Sequence, residues 1–191
     1  MHSKEDLRKA ENFGAWLHER TNGLAFKADN RIPIVEVCFY LALEHHDAII
    51  VLVGARLYGS AWALARPLLE AYVRGTWLLR HASQVELEDF MKGGRPNFYK
   101  LIAAIGSEPE TGGAWLAEIQ KNIWSVLNDY THGGATQISQ RFTEDTIEST
   151  YSEKVLADLL TIAREVAIRV AAELFALAGQ ESLLEQLSKK A

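Results

Sequence analysis

Three short stretches bring together residue types that can do chemistry. The first is LNDYTHGGATQISQR, Leu127 to Arg141, where a helical pattern carries Asn128, Asp129 and His132 and then meets two glycines. An imidazole changes charge near working pH, so His132 suits a general acid or base, with Asp129 and Thr131 close enough in sequence to orient it. The same residue suits a quieter part. At a helix C-terminus an imidazolium meets the negative end of the helix dipole, and Gly133 stands where a left-handed residue ends a helix. Both readings are open.

The second stretch is RPLLEAYVR, Arg66 to Arg74. Arg66, Glu70 and Arg74 recur every four residues and share one helix face, the spacing of an ion-pair ladder. Such pairs contribute about 0.3–0.5 kcal/mol each when exposed. Trp62, Leu69, Val73 and Trp77 lie on the same flank, which draws Arg66 and Glu70 partly into the core, where charges need partners. Pro67 removes one backbone bond, so a kink is expected, and the freed carbonyl of Ala63 is open to a guanidinium. Arg66 and Glu70 join His132 as candidate catalytic residues. Arg74 joins His45, His46, Asn128, Asp129 and Arg141 as candidate binding residues.

The third is LEHHDA, Leu43 to Ala48. His45 and His46 fall on the apolar side of a helix, and adjacent residues point about 100° apart. Metal-binding pairs need spacings of three or four, and neither His-Glu-x-x-His nor Glu-x-x-His occurs here. No metal or cofactor is expected, and buried histidines satisfied by hydrogen bonds are the plainer reading. No Walker, G-x-G-x-x-G or G-x-S-x-G pattern is present. The tryptophans at 16, 62, 77, 115 and 124 are spaced as core residues.

The elements that must position these residues are helical. There is no sustained two-residue alternation and no Asn-Gly or Asp-Gly hairpin signal. The spacing predicts helices over about Glu5–Thr21, from Ile32-Pro33 to about Tyr58, and from Gly59-Ser60 to about His81 with Ser60 as N-cap. A short helix follows Ser83, with Glu86 completing a capping box. Further helices are expected over about Phe98–Ile105, Ala114–Thr131 and Ser152–Ala178, the last ended by Gly179. MKGGRPNF, GSEPETGG and TEDTIESTYSEK read as loops, and residues 181–191 as a short amphipathic tail. The fold class is all-α: one domain over residues 1–191, a bundle of four long helices plus short ones.

At 191 residues, 48% hydrophobic and 24% charged, the chain has the composition of a soluble globular protein. A net charge of −5 argues against a non-specific nucleic-acid binder, though not against a local basic groove. One cysteine, Cys38, leaves no intrachain disulfide and no thiolate zinc site. The N-terminus lacks an apolar signal core, and the longest apolar run, Ala48 to Ala55, is far short of the roughly 20 residues of a membrane span. A cytoplasmic location without membrane contact is expected. Wide apolar helix faces and the amphipathic tail suggest a homodimer.

The strings LALEHHDAIIVLV, LYGSAWALARPLLEAYVRGTWLL, FMKGG and WSVLNDYTHGGATQISQR, over roughly residues 40 to 142, resemble an uncharacterised bacterial all-helical family, a domain of unknown function. Its recurrent motifs are HH-x-A-I, G-S-A-x-A-L-x-R-P-x-x-E-A-Y-x-R-G-x-W-L and Y-T-H-x-G. More loosely the chain resembles HEPN bundles, which often act as metal-independent ribonucleases in toxin–antitoxin and phage-defence systems. That resemblance implies RNA or a nucleotide as partner, with His132 as the histidine of the motif and Asn128 or Asp129 as its polar residue. The motif's arginine is absent, since Val126 and Leu127 precede Asn128, so Arg66 or Arg141 must substitute in space. The alternative is a non-catalytic helical module that binds a protein partner or small ligand, with the same residues as an internal polar network.

Overall fold

The apolar spacing resolves into helices along the described residues. A computed structural model describes residues 2–27, 29–106, 113–143 and 145–190. In chain order the helices are α1 (His2–Thr21), α2 (Ile32–Gly54), α3 (Tyr58–Arg80), α4 (Gln84–Met91), α5 (Phe98–Gly106), α6 (Gly113–Asn122), α7 (Trp124–His132), α8 (Ala135–Ser139), α9 (Glu153–Leu177) and α10 (Glu181–Ser188). Among the described residues no strand forms; Phe142 and Ile147 make one isolated bridge. The fold is all-α.

Helices α2 and α3 are the central pair. α9 packs across α1, α2 and α3, while α7 lies against α3 and α10 against α9. Phe39, Ile49, Leu68, Leu69, Leu159 and Phe175 are fully buried in one contiguous core. The two central helices approach closely at Gly75, where a Cβ would stand 2.6 Å from the Phe39 ring and 3.2 Å from Cys38 Cβ. Any larger residue there must push the pair apart. Helix α2 has a mean hydropathy of 1.5 over its most apolar stretch, enough by length and composition to cross a membrane, and 44% of that stretch is buried inside the fold.

Several boundaries differ from the spacing. Helix α2 stops at Gly54, because the chain turns through Arg56 at φ 62° and the Leu57 N–H donates back to the Leu52 carbonyl at 2.8 Å. That turn makes Leu57, not Ser60, the residue before α3, and no side chain caps it. The single helix expected over Ala114–Thr131 is two helices, broken at Ile123 with φ −122°. A five-residue helix, α8, follows the glycines. Pro67 sits inside α3, which continues unbroken as a helix to Arg80. Ser83 and Glu86 form the expected capping box, and Ser152 caps α9 through the Val155 N–H. The expected GSEPETGG loop falls largely on residues 107–112, outside the described residues.

Candidate functional site

The site is built where α7 ends against the middle of α3. The α7 terminus is fixed by two glycines with different tasks. Gly133 adopts the left-handed conformation at φ 70°, and its N–H and that of Gly134 both donate to the Asp129 carbonyl, the latter at 2.7 Å. Gly134 is needed for space: a Cβ there would lie 2.5 Å from Asp129 Oδ1 and 2.9 Å from Asp129 Cα. The chain is thus turned back so that Asp129 Oδ2 accepts from the Thr136 hydroxyl at 2.6 Å and the Thr136 N–H at 3.1 Å. These bonds, the hydroxyl's first, hold the Asp129 carboxyl below its ordinary range. Asp129 therefore clamps the turn and α8, and among the described residues its side-chain bonds are to Thr136 and not to His132.

His132 ends α7 exposed to solvent, and its Nε2 lies 2.7 Å from Arg66 Nη1. A guanidinium only donates, so the contact requires Nε2 to act as acceptor, which places the imidazole's proton on Nδ1. Arg66 Nε donates in turn to Glu70 Oε1 at 2.7 Å, and Arg74 Nη2 donates to Glu70 Oε2 at 2.7 Å. The run His132–Arg66–Glu70–Arg74 is continuous. Arg66 and Glu70 retain only 24% and 17% of their side-chain exposure, so their pairing is charge-assisted and partly shielded from water. Arg66 also lies over the Trp124 ring, 5.2 Å from its centroid. Trp124 is stacked on its own account against Phe98, centroids 4.6 Å apart.

The Ala63 carbonyl freed by Pro67 needs another donor, and a guanidinium is one that could supply it. It meets the Thr131 hydroxyl instead, at 3.4 Å, while Arg66 Nε and Nη1 are directed to Glu70 and His132. Thr131 therefore ties α7 to α3 and also bonds the Leu127 carbonyl at 2.8 Å. Asn128, one turn before His132, has a buried Oδ1 with no hydrogen-bond partner among the described residues.

The histidines of α2 lie elsewhere. His46 is 1% exposed, its Nδ1 2.9 Å from Asp47 Oδ1 and its ring edge-on to Phe13 of α1. His45 makes no hydrogen bond, ion pair or ring contact with Arg66, Glu70 or His132 among the described residues, and burial pulls its pKa down. The two therefore do not share the α3–α7 site, and no group of three or more His, Cys, Asp or Glu side chains poised for a metal occurs among the described residues. Arg141 belongs to a neighbouring cluster. It stands beside Tyr151 and Gln137 around Gly59, whose carbonyl takes a bond from Gln137 Nε2 at 3.2 Å. Of the two arginines offered as substitutes in the motif, the structure brings Arg66 to His132.

The sequence pattern reads Trp62 and Trp124 as core residues, and both are buried; it gives no role to Thr136 or to the stacking of Trp62 on Tyr130, with centroids 4.7 Å apart. Trp124 shares a helix face with Asn128 and His132 at a spacing of four. Burial and the nearby Tyr151 push the Tyr130 phenol up to about 12.

A family model matches residues 39–191, most of the chain and all of the α3–α7 site. The chain belongs to the family of unknown function DUF6988. No curated protein and no solved structure matches it. The DUF6988 match begins inside α2 and includes every residue of the His132–Arg66–Glu70–Arg74 run, while α1 and the first turns of α2 precede it.

Proposed function

We propose that this DUF6988 chain is a HEPN-like RNA-cleaving protein, of the kind found in bacterial defence or toxin–antitoxin systems, with His132 as its acid/base and Arg66 as its phosphate-binding group. The observation that carries this reading is the 2.7 Å contact of Arg66 with His132 across two helices. It supplies in space the arginine that the motif lacks in sequence. Asn128, with its uncommitted buried oxygen, stands one turn earlier on the same face as the polar residue.

The chemistry follows from these groups. A phosphodiester entering between them takes the Arg66 donor onto its non-bridging oxygens and frees His132 Nε2. The unprotonated Nε2 then removes the 2′-hydroxyl proton as that oxygen attacks phosphorus. The bond from phosphorus to the 5′-oxygen breaks, and that oxygen takes its proton from the imidazolium, leaving a 2′,3′-cyclic phosphate and a 5′-hydroxyl. Arg66 offsets the charge that develops on the phosphorane oxygens. Glu70 keeps the guanidinium oriented rather than touching substrate. On this reading RNA or a nucleotide is the partner, and the protein works in the cytoplasm as a homodimer.

The test is cleavage of a labelled mixed RNA pool by the full chain and by His132→Ala. The parent is expected to yield fragments with cyclic phosphate ends, and the variant, with an unchanged helical circular dichroism spectrum, at least a hundredfold less. A variant as fast as the parent, or a parent that does not cut, overturns the reading.

The second reading is a non-catalytic module that binds a protein or small ligand. It is favoured by the cation–π seat of Arg66 on Trp124, which gives the network a purely structural use in joining α3 to α7. It expects no cleavage by either protein and a melting temperature lowered by several degrees in His132→Ala.

A further inference from the structure

The exposed apolar residues of α2 are not scattered. Val37 at 67% and Leu41 at 42% exposure stand with Ile34 along one wall of a cleft of about 820 Å³, and Phe90 and Met91 from the end of α4 form the other wall. That volume is within the range of small-molecule sites, roughly 300–1,000 Å³. Two guanidinium groups reach it, Arg74 from α3 and Arg95 from the loop after α4. No carboxylate is among the described side chains that line it.

The charges are unequally committed. Arg74 uses Nη2 on Glu70, and Glu70 is shared with Arg66, so the three groups together carry a net single positive charge. Arg95 is exposed and makes no hydrogen bond or ion pair among the described residues. An acidic protein, net −5, thus opens an apolar cleft whose described lining carries two arginines and no carboxylate. The loop that carries Arg95 is set by Gly93 at φ 93° and by Gly94, where a Cβ would lie 2.8 Å from the Asp89 carbonyl oxygen and closer still to its carboxylate. That geometry fixes how the loop leaves α4 and meets the cleft.

We infer that this cleft binds a small amphipathic anion, a carboxylate on an aliphatic body of medium length, with the chain against Val37, Leu41 and Phe90 and the carboxylate on Arg95 and Arg74. Charge complementarity selects this occupant over a neutral or cationic one: a carboxylate accepts from both guanidinium groups, whereas an ammonium head is repelled by them. Cys38, the single cysteine, lies buried in the same lining. The site is separate from His132, and neither RNA nor cleavage enters its test.

The probe is decanoate, below its micellar concentration, titrated calorimetrically into the full chain, with decyltrimethylammonium as the cation of equal chain length. Saturable one-to-one binding of decanoate is expected, at least tenfold tighter than the cation. Arg95→Gln should weaken it about tenfold while melting with the parent, and Val37→Trp, which fills the cleft from an exposed position, should abolish it. Equal binding of anion and cation or undiminished binding in Arg95→Gln each overturns the proposal. So does a dimer in sedimentation that Val37→Asp dissociates and that binds no decanoate, since a second copy would then be the occupant.

Discussion

Arg66 and His132 stand 66 positions apart in the chain, and their side chains meet at 2.7 Å. The contact joins the middle of α3 to the last residue of α7 and is fed from behind by Glu70, which holds Arg66 and Arg74 at 2.7 Å each. One carboxylate thus sets the position of two cations that face different places, His132 on one side and the α2–α4 cleft on the other.

Glu70→Gln tests that arrangement. The amide keeps the shape but loses the charge that both guanidinium groups share in a partly shielded setting. The expected loss is about 1–3 kcal/mol, which for a chain of this length lowers the melting temperature by roughly 2–12 °C. A thermal melt by circular dichroism reads it. In a double-mutant cycle, Arg66→Ala and Glu70→Ala should couple by about 0.5–3 kcal/mol, and zero coupling would show that the pair contributes nothing.

The two glycines after His132 should respond differently. Gly133→Ala meets only the left-handed backbone, at φ 70°, and should cost about 1–2 kcal/mol. Gly134→Ala drives a methyl into Asp129, including its backbone at 2.9 Å. It should additionally break the Asp129–Thr136 bonds that shape the turn. Chemical denaturation of both variants is the measurement. In Gly134→Ala alone, stability should become insensitive to removal of the Thr136 hydroxyl.

Acid should find the Asp129 clamp. Its folded pKa lies below the ordinary value of 3.8 because Thr136 bonds the charged form. The stabilisation is therefore fully present above about pH 4 and is lost as pH falls through the folded value. Thr136→Val should be less stable than the parent at pH 7, and the gap should close below the folded pKa. Urea midpoints measured from pH 7 down to acid would show it. A gap independent of pH would assign the loss to packing alone.

Gly75→Ala should separate the central helices. The added Cβ would stand 2.6 Å from the rigid Phe39 ring, an overpacking expected to cost about 1–3 kcal/mol. Phe39→Leu in the same chain should recover part of the loss by making room, which comparison of the single and double variants by thermal melt would reveal.

Read alone, the sequence determined the all-α class, the long helices around their apolar seams, the Ser83–Glu86 capping box and the glycine stop after His132. These are legible because each depends on neighbours within about four residues: helical periodicity, capping and left-handed termination are local physics. It also determined the Arg66–Glu70–Arg74 ladder, which follows from a spacing of four on one helix. Only tertiary structure decided that His132 meets Arg66 and not His45 or His46, that Thr131 takes the carbonyl freed by Pro67, and that Trp124 seats a guanidinium. Those outcomes depend on how α7 docks on α3, a relation between residues 58 to 68 positions apart. Helical register names the residues on a face and is silent on which other face they will touch.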